Sequence, residues 1–285
     1  MRGLLHMKKV GFLIINYNDY KTTLKLIDNI KEYKVINEIV VVDNKSTDKS
    51  VENLRKIKNI KLIENEENYG FSKAINIGSK YLIDKYKECY IFISNSDIRI
   101  KNEDDIKKLI NTFDKNIAIV GPVLQEPSNI VKGWRLTSVF EDILLNIPLI
   151  NRIYRNKLIS YKEEYYKDKI SVVDMVKGCF FVIDSKALED INYFDENTFL
   201  YYEENILAKK LQAKKYKTVI NNDVLVYHDH AITISKNVNN INRYKITKDS
   251  MMYYEKNYNN ASKISLFILK VLNDLNMVAK KIRKK

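Results

Sequence analysis

In the stretch YIFISNSDIRI, residues 90–100, Tyr90-Ile91-Phe92-Ile93 is an unbroken run of bulky apolar residues. That is the pattern of a strand buried on both faces, not the alternation of a half-exposed one. The run stops in Ser94-Asn95-Ser96-Asp97, three polar residues and a carboxylate, and Ile98 follows at once. The same unit recurs on either side. KKVGFLIINYN (8–18), INEIVVVDN (36–44), IKLIEN (60–65), CYIFIS (89–94) and IAIVGPV (117–123) read as strands. YKTTLKLIDNIKEY (20–33), DKSVENLRKI (48–57), SKAINIGSKYLIDK (72–85) and NEDDIKKLINTFD (102–114) read as the helices between them. Apolar strands alternating with amphipathic helices predict an α/β protein with a mostly parallel central sheet covered on both faces.

In such a sheet ligands bind outside the carboxyl ends of the strands. The first strand ends in Asn16-Tyr17-Asn18, the second in Asp43-Asn44-Lys45-Ser46-Thr47-Asp48, the third in Asn65-Glu66-Glu67-Asn68-Tyr69-Gly70, and the fourth in Ser94-Asn95-Ser96-Asp97. Asn, Asp and Ser also favour ordinary turns and N-caps, and Asp48 reads as a cap. Four polar tips on one edge of one sheet, however, read as an active site, with each buried strand a rigid mount for its tip.

The bulk numbers agree with a globular enzyme. A chain of 285 residues, 45% hydrophobic and 30% charged, forms one large domain or two small ones and is not disordered. Two cysteines imply no disulfide framework, and a reducing cytoplasm is the natural setting. The N-terminus carries no secretory signal pattern, and no apolar run approaches the roughly 18–20 residues that span a bilayer. The net charge of +13 suits an anionic partner: a nucleotide, a membrane surface or a nucleic acid. No helix-turn-helix, zinc or RNA-binding motif accompanies it, and the lysines are spread along the chain, which argues against a nucleic-acid-binding protein. A sugar-phosphate nucleotidyltransferase, the other alternative, would want a glycine-rich basic loop after the first strand, and IINYNDYKTT has none.

FLIINYN, EIVVVDNKSTDKS, NYGFSKAINIG, FISNSD and FDENTFLYYEEN, in that order, resemble an inverting family 2 glycosyltransferase of the Rossmann-like GT-A fold. The nearest subgroup is the rhamnosyltransferase-like enzymes of bacterial surface polysaccharide synthesis. The resemblance covers residues 8–236, with 8–123 as the nucleotide-sugar-binding half, 124–236 as the acceptor-binding half, and 237–285 as a C-terminal helical extension. It implies a UDP- or dTDP-sugar donor, such as dTDP-rhamnose, and a glycan or lipid-linked glycan acceptor. FISNSD falls where the family keeps its D-x-D-like motif; Asn95 takes the first acidic position and Asp97 is the one hard carboxylate, implied to hold Mg²⁺ or Mn²⁺. His228, in VLVYHDH, matches the family's late metal-binding histidine, although a strand-end histidine bonded to backbone is the plainer reading, and His230 is left with that one. Asp43 matches the position that contacts base or ribose, with Asn16 and Tyr17 lining the same pocket. Asn68, Gly70, Ala74 and Asn76 match N-x-G-x-x-x-A-x-N at the donor side.

MVKGCFFVIDSKAL (175–188) resembles the segment beneath the sugar, with Gly178 allowing close backbone approach. The pair Glu203-Glu204 stands where the family usually has Glu-Asp, and by position Glu204 is the catalytic base and Glu203 its support. Two carboxylates at a helix N-terminus also simply complement the helix dipole, and adjacent helical residues point about 100° apart, so one of them faces the substrate. At the C-terminus, SKISLFILKVLNDLNMVAKKIRKK (262–285) is a basic amphipathic stretch. It docks on the core, pairs two copies in a homodimer, or lies in a membrane surface; its basic end and the implied lipid-linked acceptor favour the last.

Overall fold

Lys9–Asn16 forms β1, which lies between two parallel neighbours in a computed structural model that describes residues 8–229 and 240–282. On one side is β2 (Glu38–Asp43), extended by β3 (Ile60–Glu64); on the other is β4 (Cys89–Asn95). Helices α1 (Tyr20–Ile30), α2 (Ser50–Leu54) and α3 (Phe71–Tyr86) make the connections. Successive residues of a strand point to opposite faces, so β1 feeds two cores. Val10, Phe12 and Ile14 join Leu26, Ile27 and Ile30 of α1, while Leu13 joins Ala74, Ile75 and Leu82 of α3. This two-sided burial is why the strands read as continuous apolar runs.

After the short β5 (Ile98–Arg99) and α4 (Glu103–Ile110), which Asn102 caps by accepting from the Asp105 amide, the chain runs through β6 (Ile117–Gln125). It leaves β6 at the carboxyl edge and runs through β7 (Ile130–Val131), α5 (Val139–Leu145), α6 (Pro148–Ile159) and β8 (Ile170–Val173). It re-enters the sheet from that edge as β9 (Phe180–Asp184). A strand entered from the carboxyl edge must run against its neighbours, and β9 is antiparallel to both β4 and β6. The parallel pairing expected from the sequence therefore holds for β3-β2-β1-β4 and again for β6 with β10 (Lys217–His228), with β9 reversed between them. The full order is β3-β2-β1-β4-β9-β6-β10-β5, with β7 on β6 and β8 on β10.

Helices α7 (Ser185–Asp190), α8 (Glu203–Ala213), α9 (Asn240–Asn257) and α10 (Lys263–Ile282) complete the described chain. The stretch expected as an extension is packed onto the second half. Ser250 of α9 donates to the Leu200 carbonyl at 2.9 Å, and Tyr253 donates to Asp195 at 2.8 Å. The boundary expected at 236/237, His230 and the last basic residues Arg283, Lys284 and Lys285 lie outside the described residues.

Phe92 of β4 is fully buried, with ring centroids of Phe12 and Phe180 at 5.7 and 5.8 Å. Phe92→Ala should therefore cost about 3–5 kcal/mol, seen as a lower urea midpoint with an unchanged slope; a shift under about 1 kcal/mol would show that this three-ring contact is not central to the core.

Candidate active site

Pairing of β5 with β10 sets His228 opposite Ile98, and so brings the histidine beside Asp97 at the end of β4. His228 Nε2 lies 3.2 Å from Asp97 Oδ1, and Nδ1 lies 3.0 Å from Glu126 Oε1. All three side chains are buried. Burial works against the charged imidazole, but the Asp97 carboxylate outweighs it and raises His228 to about 11. Glu126 in turn pairs with Lys177. Once the proton on Nε2 is released, an imidazole nitrogen and a hard carboxylate oxygen that converge like this suit Mg²⁺ or Mn²⁺. Among the described residues no group of three or more His, Cys, Asp or Glu is placed to hold an ion. Two protein ligands would leave most coordination positions of such an ion to other oxygen donors.

Next to Lys177, the Gly178 amide donates to Glu204 Oε1 at 3.0 Å. A Cβ on residue 178 would stand 2.5 Å from that oxygen, so the carboxylate takes the place a side chain would occupy. Tyr201 and Tyr202 precede the pair with φ of 72° and 66°, a left-handed conformation costly for aromatic residues. This turn aims the first residues of α8 inward. Glu203 is buried, and its Oε2 meets no hydrogen-bond donor among the described residues. Burial, then the neighbouring Glu204, pushes the Glu203 carboxyl far above the usual range. Burial raises Glu204 as well, opposed by the Gly178 N–H and the charge of Lys177. Both carboxyls are thus raised, Glu203 the more strongly, and Glu204 alone of the two has the Gly178 N–H and the Lys177 charge against that rise.

Asp97, His228, Lys177, Gly178, Glu203 and Glu204 line one cleft of about 590 Å³, together with Tyr17, Asn44, Asn68, Gly70, Asn95 and Ser96. Gly70 has φ 81°, and a Cβ there would meet the Phe199 carbonyl oxygen at 2.4 Å; only glycine allows the chain to pass so close. The Phe71 amide donates to that same carbonyl at 3.0 Å, which fixes the donor-side loop to the segment that precedes Glu203.

Of the residues singled out in the sequence, the cleft gathers Tyr17, Asn68, Gly70, Asn95, Asp97, Glu203, Glu204 and His228. Asn16, Asp43 and Asn76 are not on its wall. Asp43 is 1% exposed and already accepts from Asn16 Nδ2, the Ser46 amide and the Ser46 hydroxyl at 2.7–2.8 Å. Asn16 is consumed between Asp43, Ser46 and Thr23. Asn76 accepts from the Phe194 amide at 3.0 Å and donates to the Phe194 carbonyl at 2.9 Å and to Glu196 at 2.8 Å. These three side chains hold the loops that form the wall. At the end of β2 it is Asn44 that faces the cleft, bonded to Asn68 and the Gly70 carbonyl.

Sequence reasoning did not find Glu126, Lys177, Trp134, Arg243 or Thr247. Arg243 and Thr247 come from α9, so the C-terminal helices complete the wall. The buried Nε of Arg243 has no acceptor among the described residues, and an anion in the cleft would supply one.

Residues 12–191 match Glycosyl transferase family 2. The chain belongs to this family. A dTDP-rhamnosyl transferase of Shigella flexneri is 39% identical over 113 residues, 39% of this chain and 37% of that one. A rhamnosyltransferase of Escherichia coli strain K12 is 25% identical over 208 residues, 71% of this chain and 76% of that one. A solved mannosyltransferase of Pyrobaculum calidifontis, in complex with GDP-Man and Mn²⁺, shares the fold with a TM-score of 0.58 and 14% identity over 99% of this chain and 77% of its own. The family-2 enzyme described here thus has a GT-A-like α/β fold, and Glu203, Glu204, His228 and Arg243 lie beyond the residues matched to the family.

Gly178→Ala should force Glu204 off its seat while leaving the β4 tip intact. Turnover should fall about 10²-fold with nucleotide affinity within about twofold of wild type. Steady-state kinetics beside calorimetric nucleotide titration would check this, and unchanged turnover would separate the Gly178 contact from the chemistry.

Proposed function

We propose that this family 2 enzyme transfers a sugar, with inversion, from a UDP- or dTDP-sugar to a hydroxyl of a glycan or lipid-linked glycan, in assembly of a bacterial surface polysaccharide. The observation that carries the reading is the placement, in one cleft, of a carboxylate seated on the Gly178 N–H and of the Asp97–His228 pair. The two rhamnosyltransferase relatives favour dTDP-rhamnose as the donor. Family membership displaces the nucleotidyltransferase and nucleic-acid-binding readings of the sequence.

In this reading the acceptor oxygen attacks the anomeric carbon from the side opposite the diphosphate. Glu204 takes the hydroxyl proton as the new C–O bond forms. The bond to the diphosphate breaks, and its electron pair leaves on the diphosphate oxygen. Burial disfavours a second negative charge on Glu203 beside the base. Asp97 and His228 would hold a divalent ion, which would supply positive charge against that gained by the leaving group. Glu126 orients the His228 ring through Nδ1, which leaves Nε2 directed at the Asp97 side. Asn44 and Asn68 line the donor end, and Trp134 and Arg243 line the rest of the cleft.

Glu204→Gln should bind the nucleotide yet transfer about 10²–10⁴-fold more slowly, and Glu203→Gln should be milder. In the wild type the rate should rise with pH as Glu204 loses its proton, with an acid limb above the ordinary carboxylate range because burial raises this group. Near-normal transfer by both variants would remove the pair from the chemistry. Separately, transfer should vanish in excess EDTA and return with Mg²⁺ or Mn²⁺; full activity in chelator would leave Asp97 and His228 without a metal to hold.

A further inference from the structure

Helix α10 is apolar on two sides. Its inner side is docked: Leu269 and Asn273 are buried, Tyr244 of α9 donates to the Asn273 carbonyl at 3.4 Å, and Asn276 donates to the Asn146 carbonyl at 2.7 Å. Its outer side presents Ile264, Phe267, Val271, Leu275, Val278 and Ile282, each 40–74% exposed. Steps of three and four residues at about 100° each keep these six in one stripe along the helix. Lys263, Lys270 and Lys281, all exposed, fall in a single row along one edge of it. The helix holds four lysines against one aspartate.

We propose that α10 seats the protein on an anionic lipid surface, with the stripe among the acyl chains and the lysine row against headgroup phosphates. No helix among the described residues is long and apolar enough to cross a membrane, so α10 would lie in the plane of the interface. Charge selects this occupant over a second copy of the chain. Two copies paired antiparallel through the stripe would bring like lysine rows together, whereas anionic headgroups complement the row in either direction of the helix. The helix packed behind α10 is α9, which carries Arg243 and Thr247 into the cleft. A seated α10 therefore holds the cleft one helix away from the lipid surface, where a lipid-linked acceptor would be met.

The test is sedimentation of the full chain with phosphatidylcholine vesicles, with and without phosphatidylglycerol. It is read without turnover, so its failure leaves the transfer reaction untouched. The wild type should partition onto the anionic vesicles about tenfold or more over the neutral ones. F267S/V271S/L275S and K263E/K270E/K281E, all at exposed positions, should each lose that binding about tenfold; circular dichroism and nucleotide binding check that both remain folded. Equal, negligible sedimentation of the wild type with both vesicle types overturns the proposal, as does a serine variant that binds like the wild type. A dimeric wild type that the serine substitutions turn into monomers, measured by light scattering, would assign the stripe to a second copy instead.

Discussion

The Asn95 amide donates to the Cys179 carbonyl at 2.8 Å, directly beyond the register pair Ser94 and Phe180. That contact ties the tip of β4 to the start of β9, and the rest of the site depends on it. Because β9 enters antiparallel from the carboxyl edge, Lys177 and Gly178 lie just outside the sheet, beside Asp97 and His228. Had β9 run parallel, its other end would lie there, and the seat of Glu204 would be some 15 Å away, the length of a five-residue strand. One reversed strand thus places Glu204, Asp97 and His228, which come from distant parts of the chain, on a common wall.

The cleft concentrates buried charge, and the structure distributes it instead of neutralising it locally. Asp97, His228, Glu126 and Lys177 alternate in sign along one chain of contacts. Each carboxylate in that chain therefore faces a cation, as a buried charge must. Glu203 has no such neighbour, and burial pushes its carboxyl far above the usual range. The left-handed Tyr201 and Tyr202 are strained, and packing offsets part of that cost, with the Tyr202 ring centred 5.5 Å from that of the buried Tyr254.

Much of this was legible in the sequence, because apolar runs and polar tips are local signals. Apart from the short β5, the elements from β1 to α4 appear where periodicity put them, within a few residues at each end. Asp97, Glu204, Gly178 and Gly70 line one cleft together. The departures have three causes. Placing the end of the fifth strand at Val123 cut off its last two residues; β6 continues to Gln125, and the residue after that tip is Glu126. The strand-end rule applied to the true end would have found it. Asn16 and Asp43 at strand tips and Asn76 in α3 are off the cleft wall, because polarity alone does not say whether a side chain faces the cleft or braces the loop behind it. Trp134, Arg243 and Thr247 reach the wall through tertiary packing that no local pattern encodes.

Asn76 has a consequence on a slower clock than catalysis. Its amide mimics a strand edge, giving one hydrogen bond to Phe194 and taking one back, with a further donation to Glu196. Only a group that is donor and acceptor at once satisfies all three. Hydrolysis of that amide to a carboxylate, the ordinary chemical ageing of asparagine, would aim an anion at a carbonyl oxygen and at the Glu196 carboxylate. The fold thereby requires an amide, and not the carboxylate of the same shape, at a position off the cleft wall.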